Sequence, residues 1–287
     1  MIATTETLRA PLFTKRIRGE DVPTLGFGTY ELEDETCSTS VKTALETGYR
    51  HIDTARVYGN EQEVGWGIRR SSVDRDQIFL TSKVWWEDLE PELLVSEIEK
   101  SLVELQVDYL DLALIHWPNK QIPLPQCLDT LHNLQEAEKI RHFGVSNFPP
   151  SLFEEAVKRS EVFCNQVEYH PLLDQEDLLQ LARENDTALT AYSPLAQGNV
   201  MDEPELEQIA DKHGKSPGQV ALRWLIEQDN VLAIPRSSSP EHIEGNFDIF
   251  DFELDEADQR RIANLPKDRR QVDPDFAPDW EEKGDSS

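Results

Sequence analysis

The chain has 287 residues, and its 56 Asp and Glu against 28 Lys and Arg give a formal net charge of −28. Duplex nucleic acid and anionic membranes are repelled by such a surface, which excludes both as partners. A hydrophobic fraction of 38% fills a sizeable core without staples, and Cys37, Cys127 and Cys164 are scattered with no C-x-x-C pair, as expected of buried thiols in a reducing compartment.

No basic stretch leading into an apolar run opens the chain, and no apolar run approaches membrane-spanning length, so the expectation is a soluble, cytoplasmic protein. Acidic residues are spread along the whole sequence and Arg outnumbers Lys. This pattern reads as a salt-adapted surface, because at about 1 M salt the Debye length falls to about 3 Å and self-repulsion is muted; an acidic protein of an ordinary-salt organism is the alternative.

In chain order, residues 12–23 (LFTKRIRGEDVP) read as a hairpin. Strand patterns follow at 24–29 (TLGFGT), 50–55 (RHIDTA), 77–85 (QIFLTSKVW) and 109–117 (YLDLALIHW). Four more lie at 141–148 (RHFGVSNF), 162–169 (VFCNQVEY), 187–195 (TALTAYSPL) and 230–237 (NVLAIPRS). Helical patterns separate them. Asn60 with Glu63 has the spacing of a capping box. Leu93, Leu94, Ile98, Leu102 and Leu105 recur at helical spacing behind Pro91, a favoured first-turn residue. Ser216 and Pro217 open a helix whose apolar face includes Val220, Ala221, Trp224 and Leu225.

Eight strand–helix units predict a closed (β/α)8 TIM barrel, with the N-terminal β-hairpin plugging its floor. An extra C-terminal helix (253–265) and an acidic, Pro-rich tail (269–287) follow, all within one domain spanning 1–287. A doubly wound open sheet is the competing architecture.

Working residues of such a barrel sit at the C-terminal ends of its strands. Those ends carry Asp53 with Tyr58, then Lys83, then His116. A lysine ammonium beside a phenol favours phenolate and lowers the tyrosine pKa, while a carboxylate keeps that lysine charged and in place. A neighbouring histidine can hydrogen-bond a substrate carbonyl that Tyr58 protonates. Singly, each has a plain structural explanation: a turn cap, a solvated cation, a core histidine. His51-Ile52-Asp53 lacks the second histidine of an H-x-H metal pair, so no metal is expected.

Together these residues resemble the aldo-keto reductase family. Its ordered patterns are matched at 26–29 (GFGT), 53–61 (DTA…YGNE), 81–85 (TSKVW), 114–118 (LIHWP) and 144–148 (GVSNF). They continue at 165–171 (NQVEYHP), 192–195 (YSPL) and from Ile234 through Asn246 to Leu254. The resemblance implies reduction of an aldehyde or ketone by NADPH or NADH without a metal, with Tyr58 as general acid, Asp53 and Lys83 tuning it and His116 orienting the carbonyl. The sequences GFGTYE and GWGIRR both lack the third glycine of a Rossmann fingerprint. The family arrangement implies instead that Ser146, Asn147 and Gln166 hold the carboxamide, Tyr192 stacks on the nicotinamide, and Ser193 and Leu195 line the pyrophosphate path. An ordinary helix cap is the alternative for Ser146-Asn147.

At the adenosine end Arg236, Ser237, His242 and Asn246 are the matching positions. The family's lysine is Arg236 here and its arginine is His242, mostly neutral above about pH 6.5, so NADPH is the expectation, with NADH or dual use open. Tyr30, Trp85 and Trp117, with Trp86 and Trp280, form the expected aromatic wall; of these Trp86 is the best candidate for simple packing. The short tail stands where some relatives have a longer specificity loop, which implies an open, tolerant pocket. A monomeric reductase is the reading, and a catalytically silent nicotinamide-binding regulatory subunit, like the family's potassium-channel accessory barrels, is the alternative.

Overall fold

The computed structural model describes residues 14–280. Thr14–Ile17 (β1) and Glu20–Pro23 (β2) pair antiparallel in the expected hairpin, whose first two expected residues lie outside the described range. Eight parallel strands follow: Phe27–Gly28 (β3), His51–Asp53 (β4), Phe79–Val84 (β5), Leu110–Ile115 (β6), Ile140–Ser146 (β7), Cys164–Glu168 (β8), Ala188–Tyr192 (β9) and Val231–Ala233 (β10). They neighbour one another in sequence order. The two outer strands meet: the Gly26 amide donates to the Ala233 carbonyl (2.8 Å) and the Ala233 amide to that of Thr24 (2.9 Å). That seam closes the sheet into a barrel and removes the open-sheet alternative. A side chain at position 26 would lie 2.8 Å from the His51 ring and from Ile234, so the seam needs glycine.

Helices alternate with the strands: Asp34–Thr47 (α1), Glu61–Arg70 (α2), Pro91–Leu105 (α3), Leu124–Glu136 (α4), Pro150–Arg159 (α5) and Glu176–Glu184 (α6). Pro204–His213 (α7) and Pro217–Glu227 (α8) both fall between β9 and β10, and Pro240–Phe247 (α9) and Glu256–Ala263 (α10) follow the last strand. Helix α3 buries Leu94, Ile98, Leu102 and Leu105 against the sheet, whereas Leu93 is exposed. Ser216 caps α8 in a full capping box with Gln219.

The Asn60–Glu63 capping box does not form. The Asn60 amide nitrogen donates to the carbonyls of Thr29 (2.8 Å) and Leu32 (2.9 Å), and its oxygen accepts from Thr54 (3.1 Å). Asn60 therefore ties the loop after β3 to the turn after β4, a long-range use that its spacing could not reveal.

Inside the barrel, Ile17 and Val22 of the hairpin pack on Phe79, Leu112, Phe163, Ala188 and Leu232, which lie near the strand starts. One end is thus an apolar plug. The polar side chains of the interior gather at the other end, where the strands finish. Among the described residues no helix is long and apolar enough to cross a membrane.

Candidate active site

Asp53 closes β4, Lys83 is the penultimate residue of β5, and His116 follows β6, so adjacent parallel strands bring the three to one level. Tyr58 arrives on a one-turn 3-10 segment, Arg56–Tyr58, that Gly59 ends in the left-handed region (φ 66°). Lys83 is 1% exposed. Its Nζ donates to Asp53 Oδ1 (2.5 Å), to the Thr54 carbonyl (2.8 Å) and to the Tyr58 hydroxyl (3.4 Å). Three contacts exhaust the ammonium's three donors. The Tyr58 ring meets His116 edge-on at 5.7 Å.

The electrostatics correct one expectation. Burial pushes the Tyr58 phenol above the ordinary tyrosine value; Lys83 pulls it down and Asp53 pushes it up, and the net direction is upward. Lysine alone thus does not create a phenolate at neutrality. Burial also opposes the charge on Lys83, but Asp53 and Tyr58 outweigh it and hold its pKa above the usual lysine value. Burial, then Lys83, holds His116 well below the usual histidine value, which leaves a neutral imidazole.

The amide nitrogen of Gln166 donates to Asp53 Oδ2 (2.7 Å), a contact the sequence gave no sign of. Ser146 donates to the Gln166 carbonyl (2.8 Å), Asn147 to the His116 carbonyl (3.0 Å), and the Tyr192 hydroxyl to Asn147 Oδ1 (2.7 Å). Neither Ser146 nor Asn147 caps a helix, because α5 begins at Pro150 with Pro149 before it and no side-chain cap. Asn147 (φ 62°) and Ser193 (φ 46°) are left-handed without being glycine, the kind of backbone strain that collects at functional sites. Leu195 precedes the 3-10 segment Ala196–Asp202.

Arg236, Ser237, His242 and Asn246 lie on the connection after β10 and on α9, with His242 exposed and Asn246 half-buried. Arg236 turns one guanidinium edge to the carbonyls of Tyr30 (3.0 Å) and Glu31 (3.1 Å), so only part of it is left for a phosphate. Tyr30 places its ring 5.1 Å from that of Tyr58.

Trp85 meets His116 edge-on at 5.3 Å. Phe276 is the residue that sequence reading missed: its ring lies 5.4 Å from Trp85, 5.5 Å from Trp86, on which it stacks, and 5.3 Å from Trp117. Trp280 adds a contact to Trp117 at 6.0 Å. The expected open pocket is therefore partly covered. The tail is pinned there by Glu168, whose carboxylate accepts from the amides of Gln271 (2.7 Å) and Val272 (2.9 Å) and contacts His170 Nε2 (2.9 Å). The aromatic spacing of the tail was its one sequence signal. Residues 281–287 lie outside the described range.

Residues 24–266 match the model of the aldo/keto reductase family. The chain belongs to that family. This reductase is accordingly an NAD(P)H-dependent oxidoreductase. It is 46% identical over 255 residues to a glyoxal reductase of Bacillus subtilis, covering 88% of this chain and 92% of that one. A methylglyoxal reductase of Yersinia pestis is 36% identical over 266 residues, 91% and 99% of the two chains. The crystal structure of an aldo-keto reductase from a Medee basin deep-sea metagenome library superposes with a TM-score of 0.87 at 35% identity, over 92% of this chain and 99% of the other.

Proposed function

We propose that this reductase converts small aldehydes and ketones, dicarbonyls of the glyoxal and methylglyoxal type included, to alcohols, with Tyr58 as general acid. The three-way contact of Lys83 with Asp53, Thr54 and Tyr58 at the barrel mouth carries this reading. A bound reduced nicotinamide supplies the hydride. Tyr58 gives its proton to the carbonyl oxygen as negative charge builds there. Burial keeps the phenol protonated until it is needed, and Lys83, held by Asp53, stabilises the phenolate left behind. His116 is neutral and its Nδ1 is enclosed without a partner, so Nε2 is the nitrogen left to bond the same oxygen. Trp85, Trp117, Tyr30 and Phe276 enclose the reacting group and limit water.

The donor set fits the dinucleotide. Ser146, Asn147 and Gln166 offer amide and hydroxyl groups for the carboxamide, and Tyr192 offers a ring face. Ser193 and Leu195 begin a loop in which Ser193, Ala196, Gln197 and Gly198 all have positive φ, a backbone form that presents amides to anions. NADPH is the favoured form: Arg236 bonds Tyr30 and Glu31 through Nε and Nη2, which leaves its Nη1 edge for a phosphate, and it stands beside Ser237, with His242 and Asn246 on α9. A monomer is the reading, in line with the small number of exposed large apolar side chains among the described residues, namely Tyr30, Val57, Leu93, Val103, Met201 and Phe276. The three buried free thiols support a reducing, cytoplasmic location, and one barrel domain accounts for all of this.

A carbonyl screen with both cofactors, followed by the loss of reduced-nicotinamide absorbance, tests the reading. Steady turnover that Tyr58→Phe abolishes supports it. Failure to turn over any aldehyde refutes it in favour of a silent binding subunit, and a higher kcat/KM with NADH refutes the NADPH assignment.

A further inference from the structure

The turn that delivers Tyr58 has little of its own to hold it. Its backbone bonds are those of one 3-10 turn, from the Tyr58 amide to the Ala55 carbonyl (3.0 Å) and from the Gly59 amide to that of Arg56 (3.3 Å), a form with poorer hydrogen-bond geometry than an α-helix. Thr54 and Asn60 bond each other across its two ends (3.1 Å). In between, Val57 is exposed and Tyr58 has to present its hydroxyl to the site. Arg56 is the side chain left to anchor the middle.

It does so through three carboxylates. Its Nη1 donates to Glu61 Oε2 (2.9 Å) and Glu104 Oε2 (2.7 Å), and its Nε to Glu97 Oε2 (2.9 Å). Glu97 and Glu104 both belong to α3, and Lys100 holds the other oxygen of Glu97 (2.5 Å). The Glu61 side chain is fully enclosed, and its second oxygen accepts from Ser82 (2.6 Å), the neighbour of Lys83 in β5. A continuous chain of bonds thus runs from the turn bearing Tyr58, through Arg56, Glu61 and Ser82, to the strand bearing Lys83. The distance it fixes tolerates little movement. The Lys83–Tyr58 contact is already 3.4 Å, and a few tenths of an ångström more removes it. What acts on the phenol itself is burial first, then Lys83, Asp53 and Tyr30, so Arg56 works on Tyr58 through position.

We propose that Arg56 is a positioning residue for the reaction, holding the Tyr58 hydroxyl within reach of Lys83 by tying its turn to α3 and, through Glu61 and Ser82, to β5. This rests on the reading of Tyr58 as the acid. A planar guanidinium suits the task because its fork engages several carboxylates at once in fixed directions, which a lysine ammonium on a flexible stem does not.

The test sets Arg56→Met and Arg56→Lys beside the wild-type enzyme in initial rates on a simple aldehyde. Arg56→Met should lower kcat by about tenfold or more, as a displaced acid does, while KM for the reduced dinucleotide stays within about twofold. Arg56→Lys, which keeps the charge without the fork, should recover part of the loss. The solvent deuterium isotope effect on kcat/KM for the aldehyde should rise in Arg56→Met, because proton transfer from a misplaced phenol limits the rate more strongly. Should Arg56→Met fail to fold with Glu61 enclosed and unpaired, Arg56→Met/Glu61→Gln carries the same expectations, since the glutamine oxygen can still accept from Ser82. A folded variant that melts earlier but keeps the wild-type kcat and isotope effect would overturn the proposal and leave Arg56 a staple between the turn and α3. A raised dinucleotide KM with kcat intact would do the same. Near-normal turnover by Tyr58→Phe refutes the acid reading separately, whereas an inactive Tyr58→Phe beside a fully active Arg56→Met removes the positioning claim alone.

Discussion

Replacing Lys83 by methionine keeps an unbranched side chain of similar length and deletes the charge. At an effective dielectric of about 20, Coulomb's law gives about 5 kcal/mol between an ammonium and a phenolate 3.4 Å apart. Tyr58 is only half-buried, so taking about half of this as realised leaves about 2.5 kcal/mol, a fall of roughly a hundredfold in kcat. Asp53 adds to the loss, since its unneutralised carboxylate pushes the phenol pKa further up. Stability falls too, because removing one partner of a buried pair costs about 3–5 kcal/mol. The double variant Asp53→Asn/Lys83→Met separates the two effects: it removes both charges and should regain much of the melting temperature without regaining turnover. Initial rates on a simple aldehyde, with melting temperatures measured beside them, read both quantities. A folded Lys83→Met enzyme with kcat within about threefold of wild type would refute the claim that this ammonium stabilises the departing phenolate.

The reduction rate should be level from about pH 6 to about pH 9. Tyr58 is pushed above the ordinary phenol value and stays protonated through that window, while His116 is held well below the ordinary imidazole value and stays neutral; a basic limb near pH 8 would mean that Tyr58 is not the acid. Phe276→Ala deletes the ring shared by Trp85, Trp86 and Trp117 and should raise KM for bulky aldehydes by about tenfold while leaving kcat within about threefold, measured by initial rates; an unchanged KM would show that the tail does not contact substrate. Melting should occur at higher temperature in molar than in low potassium chloride if the net charge of −28 reflects salt adaptation, and greater stability at low salt would count against it.

Much of the fold and site was written in local pattern. The strand runs, the Pro91 and Ser216–Pro217 helix starts and the ordered motifs around Asp53, Tyr58, Lys83 and His116 each depend on residues close together in the chain. Asn60 shows where that stops: its spacing with Glu63 suits a cap, yet its side chain reaches carbonyls about thirty positions away because the loop after β3 offers buried acceptors that no local rule anticipates. The placement of Phe276 was illegible for the same reason, although the tail's aromatic spacing marked the residue. A phenylalanine in a Pro-rich tail has no periodicity, and only the anchoring of Gln271 and Val272 on Glu168 carries it back over the mouth.

The sequence by itself determined which side chains this protein has for proton transfer and roughly which strand ends bear them, because alternation, capping and motif order are properties of neighbouring residues. The tertiary structure alone decided the state those groups are in. Tyr58 resists ionisation because burial outweighs the pull of Lys83, and Asn60 ties two loops together instead of capping a helix. Desolvation and competition for partners depend on what surrounds a group in space, and sequence neighbours do not specify those surroundings.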